Sequence, residues 1–172
     1  VDALTGPLIG RPKSATYRTC DVVGLDTMGH VIKTMADTLP SDPWHGFFKT
    51  PDFLQALIDN KALGQKTGVG IFKKVGKEIH VFDQAAQTYR PSAAQVDPEV
   101  LAILKDKNPQ SKFKALRASE HPQARFLWAC FRDLFHYCAY HLADIAASAR
   151  ELDFAIRWGY GWSLGPLELW QA

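Results

Sequence analysis

The sequence predicts an all-α protein with one small β-hairpin near residues 70–83. Three observations lead there. Apolar residues recur at helical spacing through most of the chain. Proline and glycine punctuate those runs at helix-length intervals. The stretch GIFKKVGKEIHVF, Gly70 to Phe82, places β-rich runs on either side of Gly76.

Taken in order, residues 1–12 carry Gly6, Pro7, Gly10 and Pro12 and read as a loop. A short helix is expected near Ser14, capped by Ser14 or Thr16, whose hydroxyls can accept from free backbone N–H groups. Gly24 breaks it. A second helix is predicted over 26–39, with Leu25, Met28, Val31, Ile32, Met35 and Leu39 on one face, ended by Pro40 and Pro43. A third is predicted over 51–60, with Pro51 in its first turn, where a missing donor costs nothing. ALGQKTGVGIF is a glycine-rich loop entering extended chain, and the polar 84–96 segment reads as a linker. Beyond it, helices are predicted over 98–107, 111–119, 122–150 and 151–158. The 122–150 helix is apolar nearly all round, which predicts a central place in a bundle.

The composition, 47% hydrophobic and 22% charged, is that of an ordinary globular chain. A net charge of +2 with scattered Lys and Arg gives no footprint for nucleic acid. No apolar stretch reaches membrane-spanning length. Three cysteines, Cys20, Cys130 and Cys138, lack the spacing of a disulfide framework, so a reducing cytoplasm is expected. Val1 is not methionine, and the chain closes on RWGYGWSLGPLELWQA, a new apolar helix start. Both features lead us to expect a piece of a longer protein.

That closing segment has a faint counterpart near the beginning. Aligning Ala15 with Gly165 sets Tyr17 against Leu167, Thr19 against Leu169 and Cys20 against Trp170. A glycine-containing loop precedes a short helix in both places, which suggests a repeated unit.

Three motifs carry a family resemblance. Asp21, Gly24, Leu25 and Asp26 lie in GRPKSATYRTCDVVGLDT. Gly64, Lys66, Thr67, Gly68, Gly70 and Phe72 lie in GQKTGVGIF. The third is LDFAIRWGYGWSLGPLEL. Together, and in this order, they resemble the C-terminal helical domain of 3-hydroxyacyl-CoA dehydrogenases, in the long bacterial form with two tandem helical repeats. The resemblance implies a fold of helical repeats like the C-terminal domain of 6-phosphogluconate dehydrogenase. It implies the end of a first repeat over 1–83, a linker over 84–96 and a second repeat over 97–172. It further implies that the two repeats pack through the long helix, or that the chain forms a homodimer.

The resemblance implies NAD-dependent oxidation of (3S)-hydroxyacyl-CoA in fatty-acid β-oxidation by the full-length parent, with the helical region closing over the acyl chain. The family's NAD-binding domain, with its glycine-rich phosphate loop and catalytic His–Glu pair, has no match in this sequence. This stretch is therefore expected to bind no NAD and to turn over nothing. Its partners are expected to be the NAD-binding domain of the same chain and the acyl-CoA substrate, with no nucleic acid and no membrane. The position of the family's substrate-side Asn falls before Val1 in the first repeat and near Trp128 in the second. The alternative is a stand-alone helical interaction module without catalysis.

Four residues are candidates for touching the substrate: Arg11, Lys13, Ser14 and Thr16 at a glycine-flanked helix start, which could hold a phosphate of coenzyme A. The competing reading is a capped surface helix, since many helix starts bind nothing. GQKTGVG lacks the order of a Walker loop and is read as a turn needing positive φ. His136, Cys138, His141 and Asp144 share the long helix but are read as packed residues, because a metal needs a further ligand from elsewhere. The closing apolar helix is expected to fray or to find a compensating contact.

Overall fold

A computed structural model describes residues 1–171. Among the described residues, eight α-helices and one antiparallel sheet fall into two compact units, residues 16–93 and residues 1–15 with those from 94 onward.

The first unit opens with α1 (Tyr17–Val23) and α2 (Leu25–Thr38), which meet at Gly24 with φ 104°, a conformation that disfavours any side chain. After a 3-10 turn at His45–Phe47 comes α3 (Asp52–Asp59), with Pro51 at its N-cap. A second 3-10 turn, Gln65–Thr67, leads into β1 (Phe72–Val75), β2 (Glu78–Asp83) and β3 (Thr88–Pro91). β1 pairs with β2 from Phe72↔Val81 to Val75↔Glu78, and β2 pairs with β3 from His80↔Pro91 to Asp83↔Thr88. The expected hairpin is thus a three-stranded meander, and its third strand occupies part of the segment expected to be a linker. Asp83 explains this. Its carboxylate accepts from Ala85 and Ala86 N–H and from Arg90 Nε, closing the second turn locally.

The core of this unit is Leu25, Leu54, Leu57, Ala62 and Ile71, with Leu25 fully buried. Only part of the apolar face predicted for α2 is covered: Val31 and Leu39 are exposed.

The second unit holds α4 (Pro98–Lys105), α5 (Pro109–Ala118), α6 (Pro122–Ile145), α7 (Ala149–Tyr160) and α8 (Pro166–Trp170). α4, α5 and α6 start on a proline behind a side-chain cap: Asp97 accepts from Glu99 N–H, Asn108 from Gln110 and Ser111 N–H, and His121 from Gln123 N–H. Ala124, Leu127, Phe131, Phe135 and Cys138 form the buried stripe of α6, at three- and four-residue spacing. Within the unit that helix is therefore one-sided: Phe126, Tyr140 and Ile145 are exposed.

The main core joins Val100, Leu104, Leu116, Leu127, Phe131 and Phe135 to Leu4. Residues 1–15, expected with the first repeat, belong to this unit instead. Leu4 is buried in its core, Ser163 N–H donates to Gly10 O at 2.9 Å, and the Arg11 guanidinium lies 4.0 Å from the Trp162 ring centroid.

Candidate functional site

Two of the three sequence motifs, forty residues apart, meet in the first unit around one carboxylate. Asp21, on α1, is buried. Its Oδ1 accepts the Ile71 N–H and its Oδ2 accepts the Phe72 N–H, each at 2.8 Å. A buried carboxylate is tolerable only when its lone pairs are used in this way. The chain reaches it because two glycines leave room. A Cβ on Gly70 would overlap the Asp21 carboxylate, and one on Gly64, at φ 102°, would overlap the Asp21 backbone.

The turn between those glycines is internally tied. Thr67 Oγ1 accepts the Leu63 N–H at 2.9 Å and donates to Val69 O at 2.9 Å. Lys66 Nζ donates to both oxygens of Asp26 at 2.6 Å, joining the turn to the first turn of α2. That hydrogen bond is the main reason the Asp26 carboxyl sits below the usual carboxylate range. Every side chain of the KTG sequence thus has a structural task, in keeping with its reading as a turn rather than a phosphate loop. Beside it opens a cleft of ≈ 350 Å³, lined by Arg18, Lys73 and Lys74 among others.

The second unit repeats the clasp with other parts. Asp153 of α7, also buried, accepts the Leu167 and Glu168 N–H groups at 2.8 and 2.9 Å at the start of α8. A Cβ on Gly165 would overlap the Asp153 side chain. Glu168 in turn accepts the Gly165 N–H at 2.7 Å and pairs with Arg157 at 3.1 Å. Trp170 stacks on Phe135 at 6.3 Å, the compensating contact expected at this end, while staying largely exposed.

An apolar cavity of ≈ 480 Å³ lies between α6 and α7, walled by Leu134, Cys138, Ile145, Leu152 and Ile156, with His141 on its lining. Burial pushes the Cys138 thiol up to about 11, with the charge of Asp153 adding to it. Its thiolate near neutral pH is on the order of one part in ten thousand, which argues against a nucleophilic role. Among the described residues, no group of three or more His, Cys, Asp or Glu could hold a metal ion. Nor, among them, is any helix long and apolar enough to cross a membrane.

The four substrate candidates, Arg11, Lys13, Ser14 and Thr16, lie next to one another in sequence at the boundary of the two units. Arg11, Lys13 and Ser14 belong to the unit formed by residues 1–15 and 94–172, and Thr16 opens the other. Arg11 is packed on Trp162, and burial pulls its guanidinium below its ordinary value. α1 begins at Tyr17 rather than near Ser14, with Thr16 in the N-cap place, and it is only seven residues long. Trp128 is half-buried on α6.

The carboxylate clasp and the glycine turn both fall within the stretch that matches a known family. Residues 1–74 match the family described as "3-hydroxyacyl-CoA dehydrogenase, C-terminal domain". All 172 residues align at 41% identity with a protein of Bacillus subtilis named probable 3-hydroxyacyl-CoA dehydrogenase, covering 100% of this chain and 22% of that one. A Deinococcus radiodurans protein of the same name is 41% identical over 78 residues, 45% of this chain and 22% of its own. The fatty acid oxidation complex subunit alpha of Psychrobacter arcticus is 38% identical over 97 residues, 52% of this chain and 12% of its own. The matched stretches therefore span about a fifth of the length of these two relatives, 22% in each case. No solved structure matches it.

Proposed function

We propose that this chain is the helical region of an NAD-dependent (3S)-hydroxyacyl-CoA dehydrogenase of fatty-acid β-oxidation, and that it covers the acyl-CoA site of the full-length protein. The supporting observation is identity of 41% sustained along all 172 residues, across both units, to a relative with that name. The Asp21 clasp adds a physical reason: it fixes the turn after α3 against α1 in a rigid wall suited to closing over a substrate and excluding water.

The described residues do not fit a dinucleotide. The glycine turn at 64–70 runs into an antiparallel edge strand, whereas a pyrophosphate site needs a turn that opens a helix behind a parallel strand. NAD is accordingly assigned to another part of the full-length protein. Contact of Arg11, Lys13, Ser14 and Thr16 with the acyl-CoA belongs to this reading, as do the division into two tandem repeats, association of two copies, and a cytoplasmic location.

The test is oxidation of NADH by the full-length protein with acetoacetyl-CoA, followed by absorbance. Turnover is expected from the full-length protein and none from the 172 residues alone. No turnover by the full-length protein overturns the proposal. In the same assay Arg11→Ala is expected to raise the KM for acetoacetyl-CoA, and an unchanged KM removes Arg11 from the site.

A further inference from the structure

We propose that His121 is a pH-sensitive cap joining the starts of α4 and α6, and that a second proton moves its ring from the Gln123 N–H to the Asp97 carboxylate. This holds whatever the full-length protein catalyses.

The partners fix the tautomer. His121 Nδ1 lies 3.2 Å from the Gln123 backbone nitrogen. A backbone N–H can only donate, so Nδ1 is bare and the neutral ring carries its proton on Nε2. Nε2 in turn lies 3.6 Å from Asp97 Oδ2. The ring thus caps α6 with one nitrogen and faces an acid with the other. The caps of α4, α5 and α7 are Asp97, Asn108 and Ser148, whose oxygens go on accepting in mild acid. Histidine differs, because it is the side chain that changes charge between about pH 8 and pH 5. A second proton turns Nδ1 from acceptor into donor, and two N–H groups cannot bond to each other. It also sets a positive charge at the start of α6, where the helix dipole opposes it. Asp97 attracts that same charge, so the proton exchanges one partner for another.

The two helix starts are wired together. Asp97 Oδ1 accepts the Glu99 N–H at 3.0 Å, and the Asp97 N–H donates to Gln123 Oε1 at 2.9 Å. Gln123 Nε2 donates to Gln95 O at 3.2 Å. Gln123 is therefore capped through its backbone by His121 while its side chain pins the chain entering α4. Ser119 Oγ accepts the His121 N–H at 3.2 Å and donates to Glu99 Oε1 at 3.1 Å, which anchors the His121 backbone while its ring turns. The charged groups where these elements meet are Asp97 and Glu99 of α4, Arg117 in the last turn of α5, and Glu120 with Arg125 at the start of α6. Glu120 and Arg125 pair with each other at 3.2 Å. The acids of α4 then favour an imidazolium turned towards Asp97. The His121 side chain is 25% exposed, so solvent protons reach it.

The experiment is a nitrogen NMR titration of the whole chain from about pH 8 to about pH 5. At the upper end the ring-nitrogen shifts should show a proton on Nε2 and none on Nδ1. As pH falls, amide exchange at Gln123, corrected for its intrinsic pH dependence, should quicken about tenfold relative to Gln110. Gln110 is the matched control: it too follows a proline at a helix start, and its N–H donates at 2.9 Å to Asn108, whose amide does not titrate. His121→Asn supplies a cap that does not titrate and should abolish the difference at unchanged helicity. Asp97→Asn keeps an oxygen for the Glu99 N–H but removes the charge, and should move the Gln123 change to lower pH. A proton on Nδ1 of the neutral ring, exchange at Gln123 that tracks Gln110 throughout, or a pH response that survives His121→Asn overturns the proposal. A Gln123 change left in place by Asp97→Asn rejects Asp97 as the second partner, and the switch with it.

Discussion

Asp21 meets Gly70, Ile71 and Phe72 through its side chain and Gly64 through its backbone, so it is where single substitutions should act most strongly. Asp21→Ala leaves two N–H groups without their acceptor and should cost about 2–4 kcal/mol of stability, read by urea denaturation. Asp21→Asn keeps one acceptor oxygen and should fall between. Gly70→Ala should be as damaging for a steric reason, since the methyl would overlap the carboxylate; its backbone is not in the left-handed region. For Cys138, a buried thiol raised to about 11 predicts no alkylation by iodoacetamide in the native protein at neutral pH, checked by mass spectrometry after brief labelling. Asp26 supplies a pH dependence. Its folded value is depressed, chiefly by the Lys66 hydrogen bond, so its contribution is present above the ordinary carboxylate range and is lost as pH falls through the depressed value. Asp26→Asn should therefore lower the melting temperature slightly at neutral pH and have no effect in strong acid.

At the scale of elements, the difference between expectation and structure is largest where α6 stops. A continuous helix to about Arg150 was the natural reading of the apolar pattern. Instead α6 ends at Ile145 and α7 starts at Ala149, because Ser148 Oγ accepts the Glu151 N–H and Glu151 Oε2 accepts the Ala147 N–H. This Ser-x-x-Glu pair, whose glutamate reaches the N–H of the residue before the cap, is written in the sequence at 148–151, and periodicity alone passes over it. Ser148→Ala should cost about 1 kcal/mol, with Ser148→Asp neutral, by thermal melting. The sheet was half legible: Gly76 marked the first turn, but the Asp83 turn and β3 were hidden in a polar stretch with a proline. Pro91 is compatible with pairing because β3 is an edge strand. At the other end, α8 is five residues long and would not persist by propensity alone. Its first N–H groups are satisfied by Asp153, so Asp153→Ala should speed hydrogen exchange at Leu167 and Glu168 by at least about tenfold.

On the scale of the whole molecule, each unit has its own core, and one of them is built from two distant pieces of chain. The 16–93 unit is continuous and should fold when expressed by itself, giving a cooperative melt. The other needs Leu4 from residues 1–15 to complete the cluster around Val100 and Leu127. Leu4→Ala should cost that unit about 2–4 kcal/mol. Tryptophan fluorescence can report it selectively: Trp44 is the one tryptophan of the 16–93 unit, and the other four lie in its counterpart. In a Trp44→Phe background the Leu4→Ala shift should remain; its disappearance would show that Leu4 stabilises something else.

Local chemistry written in the residues was enough for the helical class, most helix positions, the KTG turn and the family. Periodicity, prolines, caps and short-range glycine motifs act within a few residues and need no partner to be recognised. The tertiary structure alone decided three things. It matched Asp21 with the N–H groups at 71 and 72, drew residues 1–15 into the unit with 94–172, and set Arg18 beside Lys73 and Lys74. Each depends on chain segments brought together from fifty or more positions apart, where burial and hydrogen-bond satisfaction, rather than local preference, select the partner.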